Sequence, residues 1–133
     1  MGTSQPAGGN SPPQHVFAYG SLVDPGCLDE VLGHPHAGER LPARLEGYER
    51  ITTAAYPFPY IVAARGKWVD GVLVMDLDRD DLLALDEYEE VDKGIYARER
   101  VQVEAWGRGP RSLRLQALTY VAGPGLLAST ADG

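Results

Sequence analysis

The chain has 133 residues, 12 of them basic and 19 acidic, for a formal net charge of −7. That length suits one domain with a real core, and an acidic chain without a basic stripe argues against a nucleic-acid footprint. Its single cysteine, Cys27, excludes an intrachain disulfide and fits a reducing compartment. The start, Met1-Gly2-Thr3-Ser4-Gln5-Pro6, lacks the basic and apolar regions of a signal peptide. No apolar run approaches the roughly 20 residues that span a bilayer, so a cytoplasmic protein with no membrane partner is expected.

Residues 1–14 are rich in Gly, Ser, Pro, Asn and Gln, with almost nothing to bury, and are expected to form a disordered tail. Val16–Tyr19 reads as a first strand ended by Gly20. Asp24-Pro25 then opens a helix that runs to about Leu32, with Asp24 as N-cap, Pro25 at the first helical position and Gly33 just past the end. A strand is expected within Ala43–Thr53. The proline-interrupted aromatic loop Tyr56-Pro57-Phe58-Pro59-Tyr60 leads into a strand at Ile61–Ala64, and Val69–Leu77 forms the next, with Gly71 marking a bulge or a close approach.

Asp78 caps a second helix over about 79–88, with Leu77 and Leu82 at the two staple positions. Ile95–Ala105 alternates as a strand, Gly107–Pro110 is a turn, and Leu113–Val121 is the last strand. Residues 123–133 read as a flexible C-terminal tail despite Leu126 and Leu127, which leaves a domain over 15–122. About six strands and two short helices favour an α+β fold with a small, mostly antiparallel sheet able to curl into a barrel.

Two segments carry the chemistry. On the wheel of the second helix, with Leu82 at zero, Leu85 falls near about 300° and Glu89 near about 340°, whereas Glu87 points away near about 140°. Asp86, near about 40°, is not cleanly separated, so the wheel favours Glu89 without excluding Asp86. A carboxylate on an apolar face loses hydration, which raises its pKa and makes it a better proton acceptor near neutral pH. The other segment, Tyr19-Gly20-Ser21-Leu22, joins a strand to a helix start, where free N–H groups suit a carboxylate or an oxyanion. Gly20 allows close backbone approach.

Other chemistries find less support. There is no P-loop signature, and Ser21 lacks the G-x-S-x-G elbow and a histidine partner. His15, His34, His36 and Cys27 fit no zinc spacing, so neither a metal nor a cofactor is expected. Cys27 reads as a packing residue, and Arg65, Arg98 and Arg100 as surface charges, any of which could meet an acidic ligand.

The ordered set Val16–Leu22, Tyr56-Pro57 with Ile61-Val62, Val69–Val72, Leu85–Glu89 and Tyr96-Ala97-Arg98 resembles the γ-glutamylcyclotransferase-like family, especially its small γ-glutamylamine cyclotransferase and AIG2-like members. The resemblance covers nearly all of 15–122. It implies a small mixed β-barrel with short flanking helices, and a reaction that releases an amine from a small γ-glutamyl amide and closes the glutamyl part to 5-oxoproline. It places Glu89 at the catalytic glutamate and Tyr19, Gly20, Ser21 and Leu22 in the substrate-binding loop. Tyr96 aligns with a tyrosine lining the site, and Tyr120 more loosely with another. No metal or cofactor is implied.

Two departures stand out. Glu90 occupies a position where many members have glycine, which adds a charge expected to raise the Glu89 pKa or alter the loop. The loop continues as Val23-Asp24, without the aromatic continuation of the glutathione-specific branch. Two alternatives to the cyclotransferase remain: a binding module for a small carboxylate, and an amide hydrolase or acyl transferase using the same pocket.

Overall fold

A computed structural model describes residues 13–54, 56–107 and 109–131, the side chains of 128–131 excepted. Its strands are β1 (Gln14–Ala18), β2 (Arg40–Ile51), β3 (Tyr60–Leu77), β4 (Tyr96–Trp106) and β5 (Ser112–Ala122). The helices are α1 (Pro25–Leu32), α2 (Arg79–Tyr88) and α3 (Pro124–Ala131), with 3-10 turns at Ser21–Val23 and Val91–Lys93. The α+β expectation holds. The strands close on themselves in the order β1-β3-β2-β4-β5, with β2 meeting β4 at Ala43 and Arg44. Every pairing is antiparallel except a short parallel one at Val16 and Leu118, where β1 meets β5.

The expected strands at Ile61–Ala64 and Val69–Leu77 are one strand, β3, which reduces six strands to five. The gap left between the two expected strands is absorbed as a register shift: Glu46 pairs with Trp68, but Tyr48 pairs with Ala63. Gly47 and Gly66 take it up at φ 88° and 80°, a left-handed conformation open to glycine.

The helix ends follow their local chemistry. Asp24 accepts a hydrogen bond from Cys27 N at 2.9 Å, Pro25 starts α1, and Gly33 ends it at φ 82°. Asp78 and Asp81 form a reciprocal capping box at the start of α2, with Leu77 and Leu82 both buried beside it.

Val16 and Phe17 point to opposite faces of β1, and both are buried. Phe17 joins a cluster drawn from the strands alone, with Leu45, Ile61, Leu73 and Val103. Val16 joins a second cluster containing Leu28 of α1, Leu82 and Leu85 of α2, and Leu126 of α3. Burial on both faces explains why β1 reads as a continuous apolar run. Gly71 is a close approach: a Cβ there would lie 2.2 Å from the Ala18 carbonyl oxygen. That contact brings β3 tightly against the end of β1, just before the Tyr19–Leu22 loop.

The C-terminal segment differs from expectation. Pro124–Ala131 is a helix, and Leu126 is buried in the core. Gly123 N donates to the Ile95 carbonyl at 2.8 Å, and Gly125 N donates to the Gly94 carbonyl at 2.7 Å. A Cβ on Gly123 would sit 2.3 Å from the Gly94 oxygen, so the glycines that looked like linker composition permit docking. At the other end, Gln14, expected in the tail, pairs with Leu77 in β1. Residues 1–12 of that expected tail, and 132–133, lie outside the described residues. Among the described residues, no helix is long and apolar enough to cross a membrane.

Candidate active site

The two segments singled out in the sequence meet at one cavity of about 220 Å³. Tyr19, Gly20, Ser21, Leu22, Glu89, Tyr96 and Tyr120 all line it, together with Tyr56, Phe58, Pro59 and Tyr88. Glu89 is the C-cap of α2, and its N–H still donates to the Leu85 carbonyl at 2.9 Å. That last turn carries its side chain into the cavity beside buried Leu85 instead of out to solvent.

The Glu89 carboxylate is partly buried, with no hydrogen bond or ion pair among the described residues. Loss of hydration pushes its pKa from the ordinary 4.5 up to about 7. The expected contribution of Glu90 is absent: burial is the sole cause of the shift. The Glu90 carboxylate instead meets Lys93 Nζ at 3.1 Å. Its backbone is left-handed at φ 54°, a conformation glycine adopts without a Cβ clash.

Gly20, Ser21 and Leu22 keep their N–H groups free of any backbone acceptor among the described residues. Gly20 does not need positive φ, since it sits at −123°. A Cβ on it would meet Pro59 Cγ at 3.4 Å, on the far lip of the cavity. The Leu22 side chain is buried in the core and anchors the loop. Ser21 Oγ lies 2.8 Å from the Tyr88 hydroxyl, which ties the loop to the residue before Glu89.

The tyrosines are fixed by their hydroxyls. Tyr19 donates to the Tyr120 carbonyl at 2.5 Å, Tyr96 to the Pro59 carbonyl at 2.8 Å, and Tyr120 to Asp86 Oδ1 at 2.7 Å. Burial first, and the Glu89 charge among the lesser causes, push all three phenols up from their ordinary pKa, so they stay protonated.

Asp86, which the helical wheel left open, therefore turns behind the cavity to hold Tyr120. Its other oxygen pairs with Arg98 Nη1 at 3.2 Å. Arg98, expected to be a surface charge, is exposed like Arg65 and Arg100, and in addition its guanidinium closes this chain of contacts through Asp86. The sequence signal lay in register: Arg98 faces Tyr120 across β4 and β5.

The remaining candidates lie elsewhere. His34 Nε2 contacts Asp81 Oδ1 at 2.6 Å, and His36 Nε2 contacts the Met75 carbonyl at 2.6 Å. No histidine meets Ser21 among the described residues. Cys27 packs against the helix-side core with its Sγ 3.9 Å from the Tyr88 hydroxyl. Among the described residues, no cluster of His, Cys, Asp or Glu is arranged to hold a metal.

The arrangement combines an unpaired carboxylate titrating near neutrality with a row of backbone donors. Comparison with known proteins gives it a family context. The family described as "Gamma-glutamyl cyclotransferase, AIG2-like" matches residues 16–132. An AIG2-like protein D of Arabidopsis thaliana is 31% identical over 106 residues, covering 80% of this chain and 65% of that protein. A gamma-glutamylcyclotransferase and putative RNase of Methanocaldococcus jannaschii is 28% identical over 86 residues, covering 65% of this chain and 37% of that protein. The chain thus spans less than two thirds of the length of these curated relatives.

Among solved structures, an Arabidopsis thaliana protein studied in solution superposes with a TM-score of 0.70 at 27% identity, covering 87% of this chain and 72% of that one. A mouse AIG2-like protein superposes with a TM-score of 0.63 at 23% identity, covering 88% and 84%, a likeness of fold. The match over nearly all of the folded residues establishes that the chain belongs to the gamma-glutamyl cyclotransferase, AIG2-like family.

Proposed function

We propose that the cavity catalyses cyclisation of a small γ-glutamyl amide, releasing a free amine and 5-oxoproline. The observation that carries this reading is Glu89: an unpaired carboxylate, raised to about 7 by burial, beside the donor loop Gly20–Leu22. A base of that pKa takes and returns protons near neutral pH.

In the proposed reaction the α-amino group of the substrate attacks its own γ-carbonyl. Glu89 removes one proton from that ammonium before or during attack. As the nitrogen–Cγ bond forms and the amide bond to the departing amine breaks, Glu89 passes that first proton to the departing nitrogen, then takes the second proton from the ring nitrogen, which becomes the lactam N–H, and hands it to the released amine, which leaves as its ammonium. Attack within one molecule closes a five-membered ring, so a correctly folded substrate supplies much of the acceleration. The loop N–H groups hold the α-carboxylate, stabilise the oxyanion on the γ-carbonyl, or divide the two tasks. Glu89, Tyr19, Gly20, Ser21, Leu22, Tyr96 and Tyr120 form the proposed site.

The test is a panel of γ-glutamyl amines assayed for 5-oxoproline, with Glu89→Gln as control. Loss of a positioned acid/base is expected to lower kcat by about 10²–10⁴. Free glutamate in place of 5-oxoproline identifies a hydrolase. Binding without turnover across the panel identifies a carboxylate-binding module. Undiminished release by Glu89→Gln removes Glu89 from the mechanism.

A further inference from the structure

A second hollow, of about 310 Å³, is bounded by α2, β4, β5 and the start of β1. Helical spacing puts Arg79, Leu82 and Leu83 on one face of α2, at i, i+3 and i+4. Strand alternation puts Arg98 and Arg100 on one face of β4, with their Cα atoms about 7 Å apart. Leu118 stands opposite Arg100 in register. These six side chains line the hollow with Gln14, and no carboxylate is among them, although the chain has a net charge of −7.

The hollow joins positive charge to apolar surface. Leu82 and Leu118 are buried, whereas Leu83 is 53% exposed and offers apolar area for a ligand to cover. Arg100 has no ion pair among the described residues. Arg98 meets Asp86 through Nη1 at 3.2 Å, and its guanidinium fork has further N–H groups to donate. The hollow shares no lining residue with the cavity that holds Glu89.

We propose that this hollow is a second binding site, for a small organic carboxylate on a short apolar chain, in which Arg98 and Arg100 hold the carboxylate, the leucines cover the chain, and Arg98 is shared between the ligand and Asp86. Guanidinium and carboxylate match in shape as well as charge, through parallel N–H···O bonds. An inorganic anion gains the charge contact and leaves the leucines uncovered. The site also reaches the first cavity, through Arg98, Asp86 and Tyr120. The Arg98 charge is felt at Tyr120, where it opposes the upward push of burial and of Asp86 on the phenol pKa. A carboxylate that draws on Arg98 is therefore felt at a residue lining the first cavity.

The test is a titration of the full-length, isotope-labelled protein with hexanoate, followed by its backbone amide and Tyr120 ring signals. Acetate keeps the charge without the chain, and hexanol keeps the chain without the charge. Hexanoate is expected to bind with a Kd on the order of 1 mM, moving the amides of Leu82, Leu83, Arg100 and Leu118 and, with the same midpoint, the Tyr120 ring. Acetate and hexanol are each expected to bind about tenfold more weakly. Arg100→Gln should weaken hexanoate about tenfold, the effect of a lost charge-assisted bond. Leu83→Gln should weaken hexanoate several-fold and leave acetate unchanged. Asp86→Asn should tighten hexanoate several-fold, because two carboxylates around one guanidinium repel each other. Damage to the fold weakens binding, so a gain separates shared charge from structural loss. Thermal unfolding of each variant checks that it folds.

Absence of saturable hexanoate binding overturns the proposal. Shifts confined to the amides of Gly20, Ser21 and Leu22 overturn it too, since hexanoate would then enter the first cavity alone. Equal affinity for hexanoate and acetate, or an affinity unchanged by Arg100→Gln, has the same force. Failure of Asp86→Asn to tighten hexanoate, or a Tyr120 ring that stays silent, overturns the sharing of Arg98. None of these readouts requires turnover, so this site and the cyclotransferase reading stand or fall separately.

Discussion

Ser21 Oγ and the Tyr88 hydroxyl lie 2.8 Å apart, although 67 positions separate them in sequence. This contact joins the N–H-bearing loop to the last residue of α2, one position before Glu89. It is exposed to solvent, so its net contribution to stability is small, about 0.5–1 kcal/mol. Its main effect is to keep the loop and the helix end in register.

Ser21→Ala and Tyr88→Phe are each expected to raise KM for a γ-glutamyl amide several-fold with a shift in unfolding free energy of about 1 kcal/mol or less. The double variant should resemble either single one, because both remove the same bond. Fully additive effects in a double-mutant cycle on KM would show that the contact does not act as a unit.

Activity is expected to depend on the ionised form of Glu89. With its pKa at about 7, kcat/KM should rise with pH through about 7 and then level off. An acidic limb near the ordinary 4.5 would show that the free protein does not hold Glu89 as described.

The same shift predicts a stability effect of opposite sense. The folded protein holds the Glu89 proton up to about 7, whereas the unfolded chain loses it near 4.5. The folded state thus binds more protons between those values, and the Glu89 contribution to stability falls as pH rises through that window. Glu89→Gln is therefore expected to stabilise the protein at pH 8 by on the order of 2–3 kcal/mol and to make little difference at pH 4. Denaturant titrations at the two pH values measure it. An equal effect at both pH values would rule out ionisation as its cause.

Glu90 holds a left-handed conformation at φ 54°, and its ion pair with Lys93 is largely exposed. Relief of the Cβ strain should outweigh both the loss of that pair and the added freedom of the unfolded chain. Glu90→Gly is expected to stabilise by roughly 0.5–1 kcal/mol, whereas Glu90→Ala, which keeps the Cβ, gains nothing. Chemical denaturation of the two variants measures the difference. Stabilisation by alanine equal to that by glycine would place the strain elsewhere.

Gly123→Ala probes the docking of α3. Its Cβ would fall 2.3 Å from the Gly94 carbonyl oxygen, a clash with backbone that a rotamer change cannot relieve. Destabilisation of about 1–3 kcal/mol is expected, with faster amide exchange at Gly123 and Gly125, whose N–H groups donate to Ile95 and Gly94. An unaltered exchange rate at both would separate α3 docking from this close approach.

Local chemistry made much of the fold legible. The two helix starts followed from Asp24-Pro25 and from the Asp78 cap, because an N-cap is satisfied within a few residues. Period-2 alternation marked β4, because one of its faces meets the core. The wheel placed Glu89 with Leu82 and Leu85, since an α-helix fixes direction at 100° per residue.

Other features depended on partners distant in sequence. Ile61–Ala64 and Val69–Leu77 read as two strands, yet Gly47 on β2 and Gly66 accommodate the register shift and β3 runs through as one. Gly123 and Gly125 looked like linker, yet Gly94 receives them and Leu126 enters the core.

Within the site, the sequence determined which residues offer a proton acceptor and backbone donors: Glu89 and the Tyr19–Leu22 turn. Tertiary structure decided that they share a cavity, that Asp86 serves Tyr120 instead of standing beside Glu89, and that Arg98 is paired behind the cavity. Helical direction and turn composition are set by neighbouring residues, whereas burial and hydrogen-bond direction are set by groups that only the closed barrel brings together. Those tertiary properties hold Glu89 near neutrality and commit the hydroxyl protons of Tyr19, Tyr96 and Tyr120 to the protein.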